Sequence, residues 1–305
     1  MTFCLKILGS GSSVPVYGRL HTAHLLTINN TRYLIDCGEG TQLSLMKYHL
    51  KQNRINAIFI SHLHGDHYLG LTGLISSMHL LGRHKPLIIF APPGLSEIIS
   101  IQLKYSNTVI SFDLRLTELT GNGPHLIHET PTQTVHSFPL EHRVPCWGFI
   151  FREKPKSRRI NKEKLPEKIL IQDIIRLKSG EDLTDHSGSV IYKNEDLTFP
   201  PKKSRSYAYC SDTVYDPRII SYINGVDLLY HESTFLKEKE DIAAKTYHTT
   251  AEQAAMIAKA ANAKKLIIGH YSARYKDISG FQSEAEKTFG ETELALEGKT
   301  FCVEE

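Results

Sequence analysis

Short apolar runs, separated by turns bearing glycine, asparagine or proline, set the rhythm of this chain and predict strands. In the first part they alternate with helical stretches. Phe3–Leu8 reads as a strand that runs into the loop Gly9-Ser10-Gly11-Ser12-Ser13-Val14-Pro15. Ala23–Ile28 and Arg32–Ile35 read as a hairpin around Asn29-Asn30. Helices are expected at Thr41–Leu50 and Leu71–Leu81, and buried strands in the apolar run starting at Ile55 and at Pro86–Ala91. Pro92-Pro93-Gly94 opens a further helix. From about Val109 the pattern changes to successive strands, in which His125, His128 and His136 are alternate-facing residues. Ser206–Cys210, Val226–Tyr230 and Lys265–Gly269 are later strands. Thr249 and Glu252 fit a capping box ahead of an alanine-rich helix, and one more helix and two short strands complete the chain.

One segment departs from the rhythm. Between Phe151 and Pro200 the alternation stops, and Arg152–Lys168 carries eight Lys/Arg against three Glu, with two prolines. A charged insertion between core strands predicts a surface excursion, and its basic start suits nucleic-acid phosphates. The whole-molecule charge is only +3, so local charge carries more information about partners. With 305 residues, 41% apolar and 23% charged, the chain has ample core for a soluble globular fold. No secretory h-region and no 18-residue apolar run occurs, so a cytoplasmic protein without membrane contact is expected. The five cysteines (Cys4, Cys37, Cys146, Cys210, Cys302) are odd in number and form no CxxC, which predicts buried free thiols in a reducing compartment.

The candidate chemistry begins where the strand at Ile55 ends. His62, His64, Asp66 and His67 fall within six residues. Residues two apart in an extended segment share a side, and a turn at Gly65 can fold the next pair back toward the first. Three imidazoles and a carboxylate are poor core material but suit zinc, and four such groups hint at two adjacent ions. Remote ligands should then follow later strands. His142, Asp212 and His270 stand at such strand ends, and Asp212 is the carboxylate placed to bridge two cations. Asp36, beside a glycine pair at a strand end, is expected to brace a neighbouring loop rather than bind metal. The Gly9–Pro15 loop lacks the Gly-Lys-Ser/Thr ending of a phosphate-binding loop, so it reads as a tight turn that can line a site.

These residues, with LGSGSSVP (8–15), DCGEGTQ (36–42), SHLHGDH (61–67), EHRVPCWGF (141–149), PKKSR (201–205), CSDT (210–213), HEST (231–234), HTTAEQAA (248–255) and GHYSARY (269–275), resemble the tRNA 3′-processing endonucleases, the ribonuclease Z family of the metallo-β-lactamase superfamily. The resemblance spans nearly the whole chain. It implies one α/β domain over 1–305, a four-layer αββα sandwich, with 152–200 as an inserted projecting arm that grips tRNA. It implies two zinc ions per subunit, one on His62, His64 and His142, the other on Asp66, His67 and His270, bridged by Asp212. Asp66 would also orient the attacking water and accept its proton, and His248 paired with Glu232 would give a proton to the leaving 3′-oxygen. A surface salt bridge is the structural alternative for that pair. The substrate would be precursor tRNA, cut to a 3′-hydroxyl and a 5′-phosphorylated trailer, by a homodimer in which one subunit's arm serves the other's site. PKKSR is similar to a basic loop that the family places near the substrate's 3′ end, although Ser206 stands where the pattern has Asn, and the arm lacks the family's Gly-Pro tip. The rival on the same fold is a phosphodiesterase or other small-molecule hydrolase.

Overall fold

The computed structural model describes residues 2–305. The chain starts with β1 (Phe3–Gly9), the hairpin β2 (Ala23–Ile28) and β3 (Thr31–Ile35), and α1 (Thr41–Lys47). It continues through β4 (Ala57–Phe59), the single turn α2 (Gly65–Tyr68), α3 (Leu71–Leu80), β5 (Leu87–Ala91), α4 (Leu95–Tyr105) and β6 (Leu114–Glu118). Each parallel pairing among β3, β4, β5 and β6 is reached through a crossover, and helices fill three of these connections.

An antiparallel meander follows: β7 (His125–Glu129), β8 (Gln133–Leu140) and β9 (Cys146–Glu153). The insertion then forms β10 (Arg159–Ile160), α5 (Ile171–Ser179), β11 (Leu183–Thr184), β12 (Val190–Tyr192), α6 (Asn194–Leu197) and β13 (Thr198–Phe199). Its two small sheets, β10 with β13 and β11 with β12, enclose a separate core of Leu177, Leu183 and Leu197. The second half of the sandwich is β14 (Ser206–Cys210), α7 (Ile220–Ile223), β15 (Leu228–Glu232), α8 (Glu240–Thr246), α9 (Ala251–Ala260), β16 (Leu266–Gly269), α10 (Ser279–Glu286), β17 (Thr292–Leu294) and β18 (Thr300–Cys302).

Two seven-stranded sheets result, in the orders β18-β1-β2-β3-β4-β5-β6 and β17-β16-β15-β14-β9-β8-β7. Strand alternation explains the layers. On β4, Ala57 and Phe59 enter the core between the sheets while Ile58 enters the one under the first sheet's helices. On β14, Tyr207 and Tyr209 face between the sheets and Ala208 and Cys210 face the other helices. Small residues there, with Ala251, Ala254, Ala255 and Ala258 on α9, form a close helix-on-sheet contact. The expected αββα sandwich is therefore observed, built on three apolar layers.

Two local expectations change. The helix after His248 is capped one residue later, by Thr250 and Gln253, because Thr249 is tied to Glu232 instead. Not all five thiols are free and buried: Cys4 on β1 and Cys302 on β18 are register partners joined in a disulfide, while Cys37, Cys146 and Cys210 are buried and free.

Candidate active site

Loops from the ends of β1, β3, β4, β8, β14, β15 and β16 leave one edge of the sandwich, and every sequence-predicted site residue lies among them. After β4, His64 keeps an extended backbone (φ −72°, ψ 145°) and α2 starts at Gly65. The expected tight glycine turn is thus a helical turn, and it swings Asp66 and His67 back toward His62. Four non-glycine residues with left-handed backbones ring the same edge: Ser13 (φ 43°), Asp36 (φ 54°), Tyr247 (φ 61°) and His270 (φ 66°). That conformation costs free energy, and it persists where the surrounding fold requires it.

The imidazoles converge in two groups. His64 Nδ1 lies 3.1 Å from both His62 Nε2 and His142 Nε2. Asp212 Oδ2 closes this group at 3.6 Å from His62 and 3.9 Å from His142. In the second group His67 Nε2 and His270 Nε2 are 3.2 Å apart. Asp66 Oδ2 lies 3.3 Å from His270 and 3.6 Å from His67, and Asp212 Oδ1 is 3.3 and 3.5 Å from the same two nitrogens. Asp212 thus offers one oxygen to each group.

This donor set fits divalent metal. A tetrahedral shell with zinc–nitrogen bonds of 2.0–2.1 Å separates its ligand atoms by about 3.3–3.4 Å, within the range of 3.1–3.9 Å found here. Asp212 Oδ1 is buried and has no hydrogen-bond partner among the described residues, a costly state that a cation relieves. Burial, more than any other influence, pulls the pKa values of His62, His64 and His142 down, so they are neutral donors with free lone pairs. At His67 burial works against a charge, but Asp212, Asp66 and Asp36 outweigh it and raise its pKa to about 10. The carboxylates at that point call for positive charge.

The second nitrogens of His67, His142 and His270 are fixed, which selects the tautomer that aims a lone pair inward. Asp36 Oδ2 takes His67 Nδ1–H at 2.7 Å, and Asp36 also accepts from Ser61 N, Ser61 Oγ and the Tyr209 hydroxyl. The Tyr247 carbonyl holds His142 Nδ1 at 2.9 Å, and Thr234 Oγ1 holds His270 Nδ1 at 2.8 Å. Asp66 Oδ2 is anchored by the Ser13 N–H at 2.7 Å, so the glycine-serine loop does line the site. Asp36 is the expected brace. Ser13, Thr234 and Tyr247 carry no ligand signature in the sequence; Ser13 and Tyr247 act through backbone atoms, which leave no side-chain signal.

The sequence profile described as anti-Pycsar protein Apyc1 matches residues 3–117, less than half of the chain. Ribonuclease Z of Cytophaga hutchinsonii is 53% identical over 303 residues, covering 99% of this chain and 97% of that protein. Ribonuclease Z of Bacteroides thetaiotaomicron is 43% identical, covering 99% and 95%. The chain belongs to the ribonuclease Z family. Among solved structures, human tRNase Z, short form, superposes with a TM-score of 0.72 at 26% identity, covering 98% of each chain.

Beside this ribonuclease Z metal cluster stands the pair outside the two ligand groups. His248 Nδ1 is 3.0 Å from Glu232 Oε1. Glu232 is fully buried, which removes the surface salt-bridge alternative. Its other bonds come from Thr234 N, Thr234 Oγ1, Thr249 N and Thr213 N. Burial is the largest influence on His248 and lowers its pKa, but Glu232 and then Asp212 reverse it and hold the value at about 9. His248 lines a cleft of about 630 Å³ together with Ser13, His64, Asp66, His142 and Asp212.

The resemblance places the PKKSR loop near the substrate's 3′ end. The PKKSR loop precedes β14, whereas Asp212 follows it, so within one chain this loop lies at the opposite edge from the metal cluster. Its Arg205 is buried against Glu153 at 2.7 Å, Lys202 pairs with Glu305, and Lys203 pairs with Asp227. Arg274 makes no ion pair among the described residues; its guanidinium lies 5.8 Å from the Phe235 ring centre.

Proposed function

We propose that this chain is a zinc-dependent endoribonuclease that removes the 3′ trailer of precursor tRNA, leaving a tRNA 3′-hydroxyl and a 5′-phosphorylated trailer. The observation that carries the reading is Asp212, with one oxygen in each ligand group of a ribonuclease Z chain. His62, His64 and His142 would hold one zinc, and Asp66, His67 and His270 the other. When bound, the pair supplies activated water near neutral pH and neutralises charge on the phosphate. Asp66, with one oxygen pinned by Ser13 N–H and its side chain on the cleft, orients the attacking water. Burial alone would raise its pKa, but His67, His270 and the Ser13 N–H bring its carboxyl well below the usual range. His248 carries its proton at neutral pH and offers it to the departing 3′-oxygen, held in place by Glu232.

Residues 152–200 act in this reading as the tRNA-gripping arm. β9 starts beside the metal loop, where Trp147 N bonds Ser61 O, and ends at Glu153, roughly 23 Å away by strand rise. An arm rooted there supports service to a second subunit's site. Exposed Leu43 and Met46 on α1, with Leu80 and Leu81 at the end of the neighbouring α3, offer a second copy an apolar face. No described helix is long and apolar enough to cross a membrane. The cytoplasm, where tRNA precursors are made, completes the reading; thiols there are kept reduced, and the Cys4–Cys302 bond is the feature that departs from it.

The test is incubation with a 3′-extended tRNA transcript, with and without chelator, mapping the cut by end-labelling. A single chelator-sensitive cut at the tRNA 3′ end, restored by zinc, is expected. Small diesters hydrolysed as efficiently as the transcript would instead make it a small-molecule phosphodiesterase.

A further inference from the structure

The edge opposite the metal cluster has its own concentration of charge. The N-terminal ends of β3, β4 and β5 enclose a cleft of about 400 Å³ whose lining includes Arg32, Arg54, Arg83 and Lys85 together with several asparagines, and no carboxylate. None of the four cations forms an ion pair among the described residues. Arg83 is buried and directs its N–H groups to backbone carbonyls: Nε to Lys85 O at 2.8 Å, Nη1 to Asn53 O at 3.3 Å, and Nη2 to Ile55 O and Pro86 O at 3.0 and 2.7 Å. It clamps together the two loops that carry Arg54 and Lys85, and it does so without neutralising its own charge. Like charges gathered without a counter-charge repel one another, and a bound anion removes that cost.

The cleft is not isolated. Asn29 lines both it and a neighbouring cleft of about 580 Å³ at the root of the arm, where Glu153 and Glu305 are paired with Lys156, Lys202 and Arg205 and the cations Arg158, Arg159 and Lys178 are added. Those three also lack a carboxylate partner among the described residues. The two clefts form one basic band running from the arm onto the sandwich. A band suits a repeating anion better than a single small one, and arginine and asparagine donors are those that hold nucleic-acid backbones.

We propose that the cleft of Arg32, Arg54, Arg83 and Lys85 binds backbone phosphates of the RNA held by the arm, extending the arm's grip onto the body of the enzyme. This rests on the reading of the chain as a tRNA nuclease. Arg54 and Lys85 are the ligands to remove, since both are exposed and neither side chain bonds to the fold among the described residues. Arg83 stays, as the clamp.

The full chain and its R54A/K85A variant would be compared for dissociation constants with a 3′-extended tRNA transcript over a salt series, and for hydrolysis of bis(p-nitrophenyl) phosphate. Loss of two phosphate contacts lowers the slope of log K against log salt by about two and weakens binding about tenfold at 0.1 M salt. Unchanged small-diester turnover shows that the variant is folded and its metal site intact. Equal affinity and equal slope in the two proteins would overturn the cleft assignment and leave the tRNA reading standing. A wild-type chain that neither binds nor cuts the transcript would overturn both. Titration with inorganic phosphate separates the two sources of the anion: a variant that loses phosphate binding but keeps its tRNA affinity has a small-anion site, and the proposal fails.

Discussion

The two edges of this sandwich use charge in opposite ways. At the metal-ligand edge, Asp36, Asp212 and Glu232 are buried and the imidazoles around them are held by identified partners. At the arm edge, Arg54 and Lys85 stand exposed with no carboxylate near. On the proposed reading, the difference follows from what each task tolerates. Ligand geometry at a metal and proton delivery at a leaving oxygen fail when atoms move by fractions of an ångström. Attraction of an RNA backbone acts over a Debye length of about 10 Å at 0.1 M salt, so mobile side chains suffice.

The comparison breaks most sharply at its first term. Asp212→Ala removes the oxygen shared by both ligand groups; losing several kcal/mol of transition-state stabilisation lowers kcat by at least about three decades, with metal content by elemental analysis falling in parallel. His248→Ala should lower kcat on tRNA by about 10²–10⁴-fold while sparing metal content. It should cost far less on p-nitrophenyl diesters, whose leaving group needs no proton; an equal loss on both substrates would make His248 a structural neighbour of Asp212.

The arm edge gives the complementary pattern. Asn161 N bonds Leu197 O at the end of the β10–β13 pair, so residues 161–197 can be excised and the hairpin closed. KM for tRNA should rise by about two decades, with a flatter salt dependence, and small-diester turnover should be unchanged. Asp36→Asn sharpens the other edge: the His67 tautomer loses its carboxylate, and metal affinity should fall about 10–100-fold by competition titration.

The smallest effect on catalysis is expected from Glu153→Gln. It weakens the buried pair with Arg205 and should cost about 1–3 kcal/mol of stability, read as a lower Tm at unchanged kcat. Burial alone would raise the Glu153 pKa, but Arg205 and Lys156 bring it below the ordinary value. The pair therefore stabilises the fold above about pH 4.3, and that contribution is lost as pH falls through the lower folded value. The variant's deficit should shrink on acidification, because the wild type loses the same interaction.

Local chemistry was the legible part. His62, His64, Asp66 and His67 could be read directly because the ligands are close in sequence, and Asp36 because a carboxylate between a strand and a glycine pair has few other uses. His142, Asp212 and His270 could be placed at strand ends, but their division into two groups came from family resemblance. The HTT segment at 248–250 permits two capping registers, and only the proximity of Glu232 to Thr249 selects Thr250 as the cap. Cys4 and Cys302 are 298 residues apart, a separation across which composition and spacing say nothing about pairing.

The amino-acid order by itself determined the strand and helix rhythm, the metal-binding residue types and the basic insertion, since each depends on neighbours along the chain. Which strand ends share an edge was decided by tertiary structure. Packing two sheets face to face brings Asp212 between imidazoles from four different loops, aims the Tyr247 carbonyl and the Ser13 N–H into the site, and sends the PKKSR loop to the far side. Those outcomes depend on contacts between segments far apart in the chain, and backbone groups carry no residue-specific mark by which a sequence could announce them.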